Sequence, residues 1–208
     1  MTKVKICGVT NLEDALVSTK LGADALGFNF YEKSPRYIDP VATREILDQL
    51  PDSILKVGVF VNESVEKIVE IADMSGLDAI QLHGDESFRF VTDLHSKTEL
   101  ALIKAVRVCP NFDRNAVLDY DVHAILLDSC SAGVYGGSGD GFDWNIALDL
   151  ERFIGCLYLA GGLQPSNVSQ AIKIVQPYAV DVASGVESSK GKKDPIKLEA
   201  FINNAKNA

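Results

Sequence analysis

Eight short apolar runs recur along the chain: VKIC from Val4, ALGFNF from Ala25, LKVGVFV from Leu55, AIQL from Ala79, ALIKAVRV from Ala101, AILL from Ala124, CLYLA from Cys156 and AVDVA from Ala179. Most are too continuous to be half-exposed strands, which alternate apolar and polar positions. Continuous β-branched and apolar runs of this length belong to strands covered on both faces, as in a parallel sheet. Between them the apolar positions change to helical spacing. Leu12, Ala15, Leu16 and Thr19 share a face after the cap candidates Thr10 and Asn11, and Gly22 stops that helix. Asp39 and Pro40 open a second, with Ala42, Ile46, Leu47 and Leu50 inward and Pro51 beyond it. Val65, Ile68, Val69 and Ala72 follow Asn62 and run towards Gly76. Val168, Ala171, Ile172 and Val175 follow Pro165, and Leu198, Phe201, Ile202 and Ala205 close the chain. From Asn111 to Tyr120 there is little room for a regular helix.

Strand then helix, with every connection long enough to cross over, implies an α/β fold in which helices cover a parallel sheet. Eight such units predict a closed (β/α)8 barrel occupying residues 1–208 as a single domain. A doubly wound open sheet is the alternative, but no G-x-G-x-x-G follows the first strand. Strand starts are 21 to 24 residues apart except at two places, where the spacing is 30 and 32. In both units the extra residues precede the helix: YEKSPRY after the second strand and SCSAGVYGGSGDG after the sixth. Loops leading from strand ends to helices build the active face of a barrel, so both insertions fall there.

That rim would collect Cys7, Gly8, Asn29, Gln81, His83, Arg107, Asp128, Gly161, Gly162 and the stretch Asp181 to Gly185. A thiol and a carboxyl facing each other could serve as base and acid, one accepting a proton while the other carries one. Taken alone, Cys7 reads as a small buried hydrophobe. Asp128 ends an apolar strand, where it either caps the next loop or does chemistry. LAGGL and ASGVE each place glycine just past a strand, the seventh and the eighth, where backbone N–H groups of a barrel commonly bind phosphate. A tight turn would also account for either glycine run. Arg36, in the lengthened second loop, could pair bidentately with a carboxylate, although a solvated surface arginine fits the residue type. His83 reads as a ligand, an acid or a hydrogen-bonded rim histidine.

Composition narrows the partners. A net charge of −9 excludes nucleic acid or an anionic membrane as the main target, and any anionic ligand must then be held by local donors. No apolar run approaches a membrane span, and the N-terminus lacks a secretory pattern, so a cytoplasmic protein is expected. Cys7, Cys109, Cys130 and Cys156 form no C-x-x-C pair and lack metal-ligand spacing to His83, His95 or His123. They are expected to be reduced thiols, with no metal.

Together these motifs resemble the phosphoribosylanthranilate isomerase family. The resemblance runs through KICGVT, ALGFNFYEKSPRYI, VGVFVN, DAIQLHGDE, LLDS with GGSGDGFDW, YLAGGLQPSNV and VDVASGVESSKGKKD, in that order and over essentially the whole chain. It implies a (β/α)8 barrel that isomerises N-(5-phosphoribosyl)anthranilate by an Amadori rearrangement in tryptophan biosynthesis, with no cofactor. By the same resemblance, Cys7 is the general base and Asp128 the general acid. Arg36 grips the anthranilate carboxylate, and His83, Asp181, Gly161, Gly162, Ser184 and Gly185 complete the site around a small phosphosugar substrate. A monomer is expected in preference to a homodimer. The chain departs from the family pattern at Asp140, where a lysine or similar residue is expected, and at Ala183, where serine is common. Other phosphosugar barrels are less suited: a synthase of the indole-glycerol phosphate type needs strand-end lysines, and the histidine-pathway isomerase pairs two aspartates. A barrel that only senses a phosphorylated metabolite would have no use for Cys7 with Asp128.

Overall fold

The computed structural model describes residues 1–109, 112–130 and 142–208, and for Ala116 the backbone alone. The glycine-rich insertion after the sixth strand, with Asp140, lies outside the described residues. Eight parallel strands close into a barrel in sequence order: β1 (Lys3–Cys7), β2 (Ala25–Asn29), β3 (Leu55–Phe60), β4 (Ala79–Leu82), β5 (Ala101–Val108), β6 (Ala124–Ser129), β7 (Leu157–Leu159) and β8 (Ala179–Val182). Closure is made by β1, which pairs with both β2 and β8. All eight apolar runs are strands.

The two faces of each strand have separate tasks. Val4 and Ile6 of β1, Leu26 and Phe28 of β2, and Val180 and Val182 of β8 point outward into the main core beneath the helices. The barrel interior holds a second, smaller cluster built from Ala25, Val57, Ala79, Ile103, Leu126, Tyr158 and Ala179. Small side chains dominate it because inward positions of a narrow barrel converge on its axis. Apolar residues on both faces are what made the runs continuous.

Helices α1 (Leu12–Lys20), α2 (Pro40–Leu47), α3 (Val65–Ser75), α4 (Phe88–His95), α5 (Arg114–Leu118), α6 (Trp144–Glu151), α7 (Val168–Val175) and α8 (Pro195–Lys206) form the outer layer. Asn11 caps α1 by accepting from the Asp14 N–H, and Asp39 caps α2 ahead of a proline in its first turn. α3 is capped by Ser64 instead of Asn62. Asn62 takes a left-handed conformation, φ 52°, and its Oδ1 accepts from the Asp85 N–H. Gly76 ends α3 in the left-handed conformation that favours glycine. The stretch with little room for a helix holds α5, five residues long. α4 is a two-turn helix whose only deeply buried side chains are Val91 and Leu94, too few to stand out as a periodic run.

After β8 the chain makes a 3₁₀ turn (Ser184–Val186) and a small antiparallel hairpin of β9 (Glu187–Ser189) and β10 (Lys192–Lys193) before α8. The sequence reading does not anticipate this hairpin, which folds back over the ends of β1 and β8.

The expectation of four reduced thiols is corrected here. Cys109 and Cys130 are joined by a disulfide, while Cys7 and Cys156 are free. The cause is strand register. β5 and β6 pair with Val108 opposite Ser129, so the residues that follow each strand emerge side by side, with 4.9 Å between their Cα atoms. Spacing along the chain carries no trace of that adjacency. None of the described helices is long and apolar enough to cross a membrane.

Candidate active site

At the C-terminal end of the barrel lies a cavity of about 450 Å³. Cys7, Arg36, His83, Asp128, Gly161, Gly162, Asp181 and Ser184 all line it. Residues from β1, β6 and β8, His83 just past β4, and residues from the loops after β2, β7 and β8 therefore meet in one space, as the sequence reading expects. Gly185 is the exception among the candidate residues. It is not on the cavity wall but lies against the backbone after β7, where an added Cβ would sit 2.0 Å from the Leu163 carbonyl oxygen. It holds two loops together. Tyr31, Lys33 and Lys190 also line the cavity without having been singled out.

The wall around Cys7 is made of buried ions. Lys5 and Cys7 both point inward from β1, and parallel register sets Lys5 beside Asp181 of β8. Lys5 is wholly buried, and its Nζ donates to Asp181 Oδ1 at 2.7 Å. Burial opposes the charge on Lys5, but Asp181 and the neighbouring Cys7 outweigh it and raise its pKa. The protein packed around Cys7 pushes its thiol up, against the pull of Lys5 and Lys193. Gly27, opposite Cys7 on β2, leaves the space: a Cβ there would lie 2.8 Å from Cys7 Sγ and 3.1 Å from Lys5 Nζ.

A second ion cluster stands above it. Glu187 of β9 accepts from Arg36 Nε and Nη2, each at 2.8 Å, and from Lys193 Nζ at 3.1 Å. Lys193 Nζ also donates to the Cys7 carbonyl at 2.6 Å and to that of Ala183 at 3.3 Å, tying the hairpin to the ends of β1 and β8. Burial pushes the Glu187 carboxyl up, yet the bonds from Arg36 and the charge of Lys193 hold it below the usual carboxylate range. The Lys193 ammonium, more deeply enclosed, is pushed down by burial despite Glu187.

Arg36 is positioned as well as paired. Ser34 Oγ accepts from the Arg36 N–H at 3.1 Å and from the Asn29 amide at 3.2 Å. Its aliphatic stem fills the place of the missing side chain at Gly8, where φ is 71° and a Cβ would lie 2.4 Å from Arg36 Cδ. With Nε and one Nη2 hydrogen committed to Glu187, the Nη1 edge and the second Nη2 hydrogen remain for a carboxylate in the cavity.

Across the cavity, Asp128 sits in a hydrogen-bonded setting. Its Oδ1 accepts from the Ser129 N–H at 2.8 Å, and its Oδ2 lies 3.1 Å from His83 Nε2. His83 Nδ1 is 2.8 Å from the Gln81 amide nitrogen, and Gln81 is wholly buried. An imidazole nitrogen can donate to an ionised Asp128 or accept from a protonated one, so His83 keeps contact before and after a proton leaves. Gln81 Oε1 is buried without a hydrogen-bond partner. Turning that amide would present Oε1 to Nδ1–H, which is the arrangement that goes with the accepting imidazole.

Beside Asp128, Gly161 and Gly162 adopt φ values of 77° and 69°. At Gly161 a Cβ would fall 2.5 Å from the Ser129 nitrogen, so glycine is required by both conformation and space. Together with Ala183 and Ser184 these residues line the cavity. Among the described residues, no group of three or more His, Cys, Asp or Glu side chains could hold a metal ion.

Residues 4–204 match the family model described as N-(5'phosphoribosyl)anthranilate (PRA) isomerase. The N-(5'-phosphoribosyl)anthranilate isomerase of Thermotoga neapolitana is 50% identical over 206 residues, 99% of each chain. That of Citrifermentans bemidjiense is 49% identical, covering 99% of this chain and 98% of the relative. The crystal structure of the Thermotoga maritima enzyme superposes with a TM-score of 0.93 at 46% identity, covering both chains completely. A solved isomerase in complex with reduced 1-(o-carboxyphenylamino)-1-deoxyribulose 5-phosphate matches with a TM-score of 0.89 at 46% identity, again over all of both chains. With the family model spanning nearly the whole sequence and relatives at half identity over the same length, the chain belongs to the phosphoribosylanthranilate isomerase family.

Proposed function

We infer that this chain isomerises N-(5'-phosphoribosyl)anthranilate to 1-(o-carboxyphenylamino)-1-deoxyribulose 5-phosphate, with Asp128 as general acid and Cys7 as general base. The observation that carries the reading is the meeting of Cys7 and Asp128, from strands well apart around the barrel, on one cavity that also receives Arg36 and the glycine turn after β7. Asp128 gives its proton to the furanose ring oxygen. As the C1′–O bond breaks, the anilino nitrogen's lone pair forms the C1′=N bond of a protonated Schiff base. The Cys7 thiolate then removes the C2′ proton, and the C2′–H electrons neutralise the iminium to give an enolamine. Protonation at C1′ with loss of the enol proton yields the ketose. The nitrogen acts as the electron sink, and both proton transfers lie within reach of residues on the wall.

Each end of the substrate has a suitable host. The open edge of the Arg36 guanidinium suits the anthranilate carboxylate, and Lys33 and Lys190 add positive charge at the cavity although the chain as a whole is acidic. The main chain at Gly161, Gly162 and Ser184 suits the phosphate, bound by N–H dipoles. Lys5 and Lys104, two lysines on barrel strands, are buried in ion pairs with Asp181 and Glu86, and neither lines the cavity. That weighs against a lysine-dependent ring closure. A phosphorylated substrate that does not cross membranes supports a cytoplasmic setting.

Freshly prepared phosphoribosylanthranilate mixed with the protein should lose its anthranilate-type fluorescence with saturable kinetics. Stable fluorescence in the presence of folded protein would overturn the assignment.

A further inference from the structure

The mechanism above needs Cys7 as a thiolate, yet the packing around its sulfur favours the neutral thiol. We propose that Lys5 is the positioning residue that makes Cys7 a base: its ammonium, held in the barrel interior by Asp181, lies against Cys7 Sγ and stabilises the thiolate without touching substrate. This deepens the reading of Cys7 as the base and rests on it.

Geometry carries the argument. Lys5 and Cys7 are two apart on one strand, so both point into the barrel, with Lys5 one layer below. An atom built at the Cβ position of Gly27 would touch both Cys7 Sγ, at 2.8 Å, and Lys5 Nζ, at 3.1 Å, which places the two groups around one small space. Lys5 has no exposed surface and is absent from the cavity lining, so solvent does not screen its charge and substrate does not compete for it. Its one carboxylate partner, Asp181 at 2.7 Å, takes a single donor and leaves the ammonium's other hydrogens for the sulfur side.

The other charged groups around Cys7 act in ways that can be separated. Lys193 of β10 touches its carbonyl oxygen and is itself bonded to Glu187 of β9. Arg36 is committed to the same Glu187. Asp14 of α1 accepts from the Lys193 main-chain nitrogen. Asp128 and His83 face from across the cavity and pair with each other. Asp181 opposes a thiolate by like charge while holding Lys5 in place. Lys5 and Asp181 therefore push Cys7 in opposite directions, and that opposition supplies the test.

The rate of iodoacetamide alkylation at Cys7, resolved from Cys156 by peptide mass spectrometry, would be followed against pH in wild type, Lys5→Met, Lys5→Arg and Asp181→Asn. Thiolate fraction sets this rate. In Lys5→Met the midpoint should rise by about one pH unit or more, and the rate at pH 7 should fall at least about tenfold. Lys5→Arg should recover most of that loss. Asp181→Asn should move the midpoint down, and this arm stands by itself if Lys5→Met does not fold. A folded Lys5→Met with an unmoved midpoint, or an Asp181→Asn midpoint that stays or rises, would overturn the proposal. Turnover by Cys7→Ala separates it from the reading on which it rests. Full activity in that variant removes the base role while the alkylation result still decides what Lys5 does, and lost activity with an unmoved Lys5→Met midpoint keeps the base and removes Lys5.

Discussion

The two sides of the cavity are built from different materials. Around Cys7, the ends of β1 and β8, the loop after β2 and the β9–β10 hairpin bring together Lys5, Asp181, Arg36, Lys193 and Glu187, each deeply or largely buried. Around Asp128, the partners are an imidazole, a buried amide and a main-chain N–H. A thiol enclosed by protein needs fixed charge nearby to ionise. A carboxyl that must deliver a proton is better served by neutral groups that can either donate or accept. Removing Lys5 or Asp181 from the first side leaves its partner buried and unpaired, whereas removing a hydrogen-bonding group from the second leaves only a vacancy beside a polar group.

The largest effect should come from the two groups that handle protons. Cys7→Ala and Asp128→Ala should each lower kcat by about 100-fold or more with little change in KM, as measured on folded protein. Asp128→Asn keeps the shape but cannot supply a carboxylic proton, so it should behave like the alanine variant. A Cys7→Ala protein with near-normal kcat and a lowered melting temperature would make the ion-rich side a structural device alone.

Arg36 tests whether that side also binds. Arg36→Ala should weaken an anthranilate-bearing ligand by about 2 kcal/mol, roughly 30-fold, while leaving competition by inorganic phosphate unchanged. Equal loss for both ligands would move Arg36 to the phosphate end or to a purely structural role.

On the neutral side, His83→Ala should cost kcat about tenfold, less than the loss of Asp128, because Asp128 keeps the Ser129 N–H. A loss as large as that of Asp128→Ala would show that the imidazole itself carries the proton.

The mildest effect is on stability in acid. Glu187 has its folded pKa held below its ordinary value of 4.5, so its contribution is fully present above that pH and is lost as pH falls through the folded value. Between pH 6 and pH 3 the melting temperature should fall, and Glu187→Gln should lack the Glu187 part of that fall. With charged hydrogen bonds worth about 2 kcal/mol, the difference should be roughly 4 to 8 °C. Identical acid profiles in the two proteins would mean that the Arg36 and Lys193 contacts add nothing to folding.

The sequence by itself determined the barrel and its rim. Strands covered on both faces must read as continuous apolar runs, and strand ends in such a barrel must point to one face, so Cys7, His83, Asp128 and Asp181 could be placed on a common wall from their positions alone. Arg36 was legible because its loop is long and the insertion falls on the active side. What the chain could not display is everything made by closure. Lys5 finds Asp181 across 176 residues, and Arg36 finds Glu187 across 151. Cys109 meets Cys130 only because β5 and β6 share a register. Gly185 is packed against the Leu163 carbonyl, a neighbour that its place after β8 does not reveal. Lys5 did carry a local signal, a lysine inside an apolar strand, facing the same way as Cys7. A periodic pattern reports which side of a strand a residue occupies, but its neighbour across the barrel is set by register between strands, which only the folded chain decides.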